Sequence, residues 1–211
     1  MSARDRLKGL YAVTPDGLDD AGLLRAGEAV LRGGARLLQY RSKSVDAVTR
    51  ARQASLLRTL TTQFNALLFV NDDPVLAMLS RADGVHLGRD DPTPASVRAA
   101  YPGLLIGVSC YDSLDLACEA CAAGADYLAF GAVAPSPTKP NAQRAPLALF
   151  AAARPMEKPL VAIGGITADN AAEIVAAGAD ALAVITAVFE HADPEAQTRA
   201  LCGLFKQTEE G

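Results

Sequence analysis

Tryptophan is absent from the 211 residues, aromatic side chains make up 5% of them, and histidine occurs twice. Single-stranded nucleic acid is held on aromatic platforms along a basic track. With a net charge of −4 and no Lys/Arg block, the chain offers neither, and nucleic acid is not an expected partner. Long hydrophobic runs are missing too. A membrane span needs roughly 20 apolar residues in succession, and no stretch approaches that. The polar opening Met1-Ser2-Ala3-Arg4-Asp5-Arg6 has no apolar signal segment behind it. No membrane association and a cytoplasmic location are therefore expected. Cysteine is scarce: Cys110, Cys118, Cys121 and Cys202. Cys118 and Cys121 have CxxC spacing, but inside an Ala-rich helical pattern and without a second pair, so reduced, mostly buried thiols are expected. No Ser-His-Asp pattern, Walker loop or dinucleotide glycine fingerprint is present. His86 falls in mid-strand and reads as an interior group; His191 reads as a surface one.

What the chain does have is regularity. Half of its residues are apolar, and short β-type runs alternate with helical stretches, the pattern of βα units around a parallel sheet. Strands are predicted near 10–13, 36–40, 66–70, 85–87, 104–108, 127–130, 160–163 and 181–185. The intervening helices are predicted near 19–32, 45–63, 74–80, 93–100, 112–123, 147–153 and 168–177, with one or two more after Thr186 and Pro194. Ser44 and Asp112 are the expected N-caps of the second and fifth. A short signature recurs where helix turns into strand: Ala123-Gly124-Ala125-Asp126, Ala177-Gly178-Ala179-Asp180 and a looser Ala82-Asp83-Gly84. It reads as structural. Eight such units close a (β/α)8 TIM barrel, eight parallel strands with outer helices, and residues 1–211 form one domain with no linker.

In that architecture the chemistry sits on loops at the C-terminal ends of the strands. There the chain places Gln39-Tyr40-Arg41-Ser42-Lys43, Asn71-Asp72-Asp73, Gly88-Arg89-Asp90-Asp91, Ser109, Pro135-Ser136-Pro137-Thr138-Lys139-Pro140, Gly164-Gly165 and Thr186. The acidic run after the third strand serves either of two purposes. Asn and Asp cap the next helix, and carboxylate oxygens suit Mg²⁺. Asp72 and Asp91 come from adjacent strands and could share one ion. Arg41, Lys43 and Lys139 supply cations for phosphate oxygens. Gly164-Gly165 and the end of the eighth strand match the phosphate cradle of such barrels. The expected substrates are small phosphorylated molecules. The proline-rich loop after the sixth strand is the expected lid. The oligomeric state stays open, a homo-oligomer included.

Six blocks in order resemble the thiamine phosphate synthase family. They are Gln39 to Lys43, Val70 to Asp73, Gly84 to Asp91, Ile106 to Ser109, Pro135 to Pro140 and Ala162 to Thr167, and the similarity extends from about Leu10 to Phe189. The resemblance implies a (β/α)8 transferase that joins a hydroxymethylpyrimidine diphosphate to a thiazole phosphate, releasing pyrophosphate, by a dissociative path. It implies that Gln39, Tyr40, Arg41, Ser42, Lys43, Asn71, Ser109 and Lys139 hold the pyrimidine diphosphate. Of these, Arg41, Lys43, Ser109 and Lys139 are the expected catalytic set. Ser136, Pro137, Thr138, Gly165, Ile185 and Thr186 would hold the thiazole phosphate, and Asp72 and Asp91 would bind one Mg²⁺. Four positions depart from the family pattern: Ser42 where an acid is common, Arg89 where Gln is common, Ser136 for Thr and Thr186 for Ser. Arg89 puts a further cation where it could pair with Asp91. Two alternatives share the fold: a thiazole tautomerase, which needs neither the paired Asp nor the full cationic set, and a non-catalytic binder of thiamine phosphates.

Overall fold

The computed structural model describes residues 6–135 and 144–207. Eight short strands alternate with helices: β1 (Gly9–Val13), α1 (Asp20–Arg32), β2 (Leu37–Tyr40), α2 (Ala47–Gln63), β3 (Leu67–Asn71), α3 (Pro74–Leu79), β4 (Gly84–Leu87), α4 (Pro94–Ala100) and β5 (Leu105–Tyr111). Then come α5 (Leu114–Ala122), β6 (Tyr127–Gly131), α6 (Ala148–Ala153) with a 3₁₀ turn at Arg154–Met156, β7 (Leu160–Ile163), α7 (Ala168–Ala176), β8 (Ala181–Val184), α8 (Thr186–Phe189) and α9 (Pro194–Gln207). Each strand pairs in parallel with its sequence neighbour, and β8 pairs with β1, closing the barrel. The predicted strands and helices are found within a few residues of their expected ends. Two caps differ. Asp46, not Ser44, caps α2 by accepting from the Thr49 N–H, and Ser113, not Asp112, caps α5. Ser44 is engaged elsewhere, as described below.

The strands are apolar on both faces because each face meets a different core. Outward residues such as Leu38, Val70, Val85, Ile106, Leu128 and Ala162 pack under the helices. Inward residues fill the barrel: Leu7, Leu37, Leu67, Val161 and Ala181, with a ring cluster of Tyr11, Phe69 and Tyr127 whose centroids lie 5.5–6.0 Å apart. The rings need space on neighbouring strands. A Cβ at Gly107 would lie 1.9 Å from Tyr127, and one at Gly84 would lie 2.4 Å from Phe69. Of the thiols, Cys110 is buried in the outer core, Cys121 and Cys202 are half-buried, and Cys118 is exposed on α5. The expectation of mostly buried thiols thus holds for Cys110 alone. Among the described residues, no helix is long and apolar enough to cross a membrane.

The recurring Asp of the helix-to-strand joints has a defined task at the N-terminal face. Asp83 exchanges two hydrogen bonds with Leu68 on β3, accepting from its N–H through the carboxylate at 2.7 Å and donating its own N–H to the Leu68 carbonyl at 2.8 Å. Asp126 does the same to Ile106 on β5, and Asp180 to Leu160 on β7. Each carboxylate is also paired with an arginine: Arg58 with Asp83, Arg98 with Asp126, Arg154 with Asp180. The same arginines donate to the backbone carbonyls of Arg81, Gly124 and Gly178, just before each joint. The device thus welds β3 to β4, β5 to β6 and β7 to β8. The joint before β2 carries Arg36 in place of the Asp.

Candidate active site

At the opposite rim, the segment after β2 is held from below by β1. The Thr14 hydroxyl accepts from the Arg41 N–H at 2.9 Å and donates to the Arg41 carbonyl at 3.2 Å. Asp16 then gathers the next three residues. One oxygen, Oδ1, accepts from the Ser42 hydroxyl, the Lys43 N–H, and both the N–H and the hydroxyl of Ser44, at 2.8–3.2 Å. Burial raises the Asp16 pKa, but these donors together outweigh it and hold the carboxyl down at about 2. Ser44 is therefore a support of this loop and not a helix cap. Period-two alternation sends Gln39 into the barrel and Tyr40 outward, where its hydroxyl donates to Gln53 Oε1 on α2 at 2.7 Å. Burial raises the Tyr40 pKa. The Tyr40 side chain is turned away from the rim, while Arg41 and Lys43 stay on it. Among the described residues, no side chain pairs with the Arg41 guanidinium.

The acidic run after β3 divides its work. Asp73 is the cap: it accepts from the Leu76 N–H at 2.8 Å and pairs with Arg50. Asp72 has φ +64°, a left-handed conformation that non-glycine residues seldom adopt. Its N–H donates to the His86 carbonyl at 2.8 Å, and its carboxylate lies 3.6 Å from Lys43 Nζ. Asp91 reaches the same place from β4, accepting from the Gly88 N–H at 2.6 Å. Burial raises the Asp91 pKa, the Gly88 N–H opposes the rise, and the adjoining Asp72 carboxyl adds to it. Two carboxylates so placed repel each other until a cation joins them. Together they could hold a metal, and no third His, Cys, Asp or Glu among the described residues completes a cage. Arg89 is directed elsewhere: its guanidinium lies 4.7 Å over the Tyr111 ring, and its N–H donates to the Tyr111 hydroxyl.

Ser109 and His86 complete this side. His86 Nε2 and the Ser109 hydroxyl are 2.9 Å apart. Asn71 stands at the end of β3, paired in register with His86. Across the rim, Gly164 and Gly165 have φ of +82° and +72°, and a Cβ at Gly165 would lie 2.2 Å from the Ala134 carbonyl oxygen. Only glycine lets the chain turn there against the end of β6. Asn170 secures the turn, donating to the Gly165 carbonyl at 3.0 Å and accepting from the Thr167 N–H at 2.8 Å. Ile185 and Thr186 follow β8 and open the short helix α8. Ser136, Pro137, Thr138 and Lys139 lie outside the described residues, as does the greater part of the expected lid.

Sequence reasoning missed Thr14, Asp16 and Asn170. Each supports a loop through backbone donors and acceptors that only the fold brings near. The one legible signal was position, since Thr14 and Asp16 follow β1 at the functional rim.

Comparison with known proteins adds to the geometry. Residues 10–188 match a family model described as thiamine monophosphate synthase. The chain is 56% identical over 205 residues to the thiamine-phosphate synthase of Thioalkalivibrio sulfidiphilus, covering 96% of this chain and 97% of that one. It is 56% identical over 201 residues to that of Chromobacterium violaceum, covering 95% and 97%. A solved structure of thiamine phosphate pyrophosphorylase from Pyrococcus furiosus superposes with a TM-score of 0.87 at 35% identity, covering 98% of both chains.

Proposed function

The chain belongs to the thiamine monophosphate synthase family, transferases of thiamine biosynthesis, and from that premise we propose that it joins 4-amino-2-methyl-5-hydroxymethylpyrimidine diphosphate to 4-methyl-5-(2-phosphooxyethyl)thiazole, giving thiamine phosphate and pyrophosphate. The observation that carries this assignment is the rim cluster of Asp72, Asp91 and Lys43, two crowded carboxylates beside a cation at the barrel mouth, with Arg41 two residues before Lys43 on the same loop. Such a cluster suits a diphosphate and a hard cation together. Mg²⁺ commonly takes one or two carboxylates and leaves its other positions to water and substrate phosphate oxygens. Asp72 and Asp91 would hold it, and when bound it would neutralise charge on the departing diphosphate.

The remaining roles belong to the chain's own groups. Arg41 and Lys43 bind the diphosphate, and their attraction grows as the bond to the pyrimidine methylene breaks and negative charge gathers on the leaving oxygen. We assign Lys139 to the same diphosphate on the family resemblance alone. Gln39, Ser109 and Asn71 orient the pyrimidine ring. Ser136, Thr138, Gly165 and the backbone at Ile185-Thr186 bind the thiazole phosphate and aim its ring nitrogen at the methylene carbon. No side-chain nucleophile is required, so rate comes from positioning and electrostatics.

A direct assay tests this: purified protein, both substrates and Mg²⁺, with thiamine phosphate and pyrophosphate measured and an EDTA control. Metal-dependent formation of both products is expected. Binding of the thiazole phosphate without product would overturn the assignment in favour of a tautomerase or a non-catalytic binder.

A further inference from the structure

A continuous row of hydrogen bonds crosses the inside of the barrel from β2 to β5. Gln39 Nε2 donates to the Tyr11 hydroxyl at 2.9 Å. The Tyr11 and Tyr127 hydroxyls are 3.0 Å apart. The Tyr127 hydroxyl is 2.8 Å from His86 Nδ1, and His86 Nε2 is 2.9 Å from Ser109 Oγ. The three middle members are buried, Tyr11 and Tyr127 at 1% and 0% exposure and His86 at 9%. The His86 and Tyr127 rings are stacked at 21°, and Gly107 is the residue that leaves room for Tyr127. Among the described residues, the one fully buried side-chain polar atom without a partner is Thr198 Oγ1, so the row is closed at each of its buried atoms.

The protons along this row have one consistent arrangement. An amide nitrogen can only donate, so the Tyr11 oxygen accepts from Gln39. The Tyr11 proton then needs an acceptor, and the Tyr127 oxygen is the one in reach. Tyr127 in turn donates its proton to His86 Nδ1. A neutral imidazole has a single N–H, which must therefore sit on Nε2 and donate to Ser109 Oγ. With Tyr127 donating to Nδ1 the imidazole carries one proton only, and all three middle groups lie out of water. Ser109 already accepts from below, and its own proton is left to point into the mouth. At the other end one of the two Gln39 Nε2 hydrogens is committed to Tyr11, which fixes the orientation of the amide and leaves its carbonyl oxygen as the acceptor of that end.

We propose that Tyr11, Tyr127 and His86 are positioning residues that fix the polarity of the site's two pyrimidine contacts, holding Ser109 as a hydrogen-bond donor and Gln39 as an acceptor. This deepens the assignment above and rests on it for the identity of the ligand. An aminopyrimidine carries ring nitrogens that accept and an amino group that donates, so a donor and an acceptor of fixed sense select it. An oxo-pyrimidine, with acceptor and donor exchanged at the substituted position, is disfavoured.

The test reads the tautomer directly. The chain has two histidines, so ¹⁵N-histidine labelling with long-range ¹H–¹⁵N correlation, with His191→Gln as the assignment control, shows which His86 nitrogen carries the proton. Nε2–H is expected in the wild type. In Gln39→Glu the end group can only accept, the whole row reverses, and Nδ1–H is expected. In Tyr127→Phe the donor to Nδ1 is lost. A mixture of tautomers is then expected, with KM for the pyrimidine diphosphate raised about three- to tenfold and KM for the thiazole phosphate unchanged. A packing role alone would lower thermal stability and leave the tautomer as it was. Nδ1–H in the wild type, or the same tautomer in wild type, Gln39→Glu and Tyr127→Phe, overturns the proposal. Failure of the activity assay with an intact Nε2–H signal would instead remove the proposed ligand and leave the fixed polarity standing.

Discussion

The two rims of this barrel use the same residue types in opposite ways. At the N-terminal rim, Asp83, Asp126 and Asp180 each meet one arginine and one strand N–H, and each arginine also donates to a backbone carbonyl. At the C-terminal rim, Asp72 and Asp91 crowd each other, Lys43 stands 3.6 Å away and exposed, and Asp72 is held in a left-handed conformation. Closed charge stabilises a fold, and open charge is what a charged ligand can use. Because the barrel puts every joint of one kind at one end, the chain keeps these two demands apart along each strand. Cutting a closed group should therefore lower stability and spare turnover, whereas cutting an open group should do the reverse.

The largest break in stability is expected at Asp126, whose carboxylate is 2% exposed. Asp126→Ala removes the carboxylate that pairs with Arg98, leaving that guanidinium only backbone carbonyls, and strips the Ile106 N–H of its partner beneath β5 and β6. Losing one partner of a buried pair costs about 3 kcal/mol or more, which for a chain of this size lowers Tm by roughly 6–12 °C. Thermal unfolding should show that drop, with kcat per folded molecule within twofold of wild type. A retained Tm would mean that the joints are held by packing alone.

Next in size is a pH effect from between the rims. Burial lowers the His86 pKa from about 6.5 to about 4, so protonating it in the folded barrel is disfavoured by about 3 kcal/mol. The folded value lies below the unfolded one. The associated stability is thus complete above pH 6.5 and is lost as pH falls toward 4. A Tm-against-pH series should fall across that window in the wild type and lose this component of the slope in His86→Asn. Equal slopes in both proteins would place the acid sensitivity elsewhere.

At the open rim, Asp72→Ala should lower turnover at least about tenfold, that is, at least about 1.4 kcal/mol of transition-state stabilisation. Its Tm should be unchanged or raised, since one of two repelling carboxylates is removed. Lys139→Ala should cost a similar factor. Wild-type turnover in both variants would sink the rim mechanism, and a large loss of Tm in Asp72→Ala would erase the contrast with Asp126.

The barrel was legible in the sequence because periodicity, turn signals and the repeated Gly-Ala-Asp joint all agree. The rim was legible because loops after strands can be located once strands are. Three things were not legible, each for a physical reason. Whether Asp72 or Asp73 caps the helix depends on which backbone N–H groups the turn presents, and the structure gives the cap to Asp73 and the open rim to Asp72. Arg89 looked like a counter-charge for Asp91, but the cation lies on the ring of Tyr111, a residue of the next strand brought close by the pairing of β4 with β5. The row from Gln39 to Ser109 joins residues up to 116 positions apart at one contact, and nothing local marks Tyr11 or Tyr127 as more than core.

The smallest predicted effect concerns Asp16, which breaks the simple division of the rims because it is a closed carboxylate at the open end. Its Oδ1 draws Ser42, Lys43 and Ser44 together, and so fixes where Arg41 and Lys43 start. Those donors hold its pKa at about 2, so the ordering is complete above the ordinary carboxylate range. It fails only as pH falls from about 4 toward 2, and no change is expected near neutrality. Asp16→Asn replaces one carboxylate oxygen by an amide that donates, and charge-assisted bonds become ordinary ones. Because the side chain is exposed, little stability is at stake, and Tm should shift by no more than about 2 °C. The loop should loosen instead, raising KM for the pyrimidine diphosphate about three- to tenfold with a smaller change in kcat. Asp16→Ala should exceed it on the same axis. If both variants kept wild-type KM, the conformation of residues 41–43 would be set by Thr14 and the strand alone, and the rim would need no closed charge of its own.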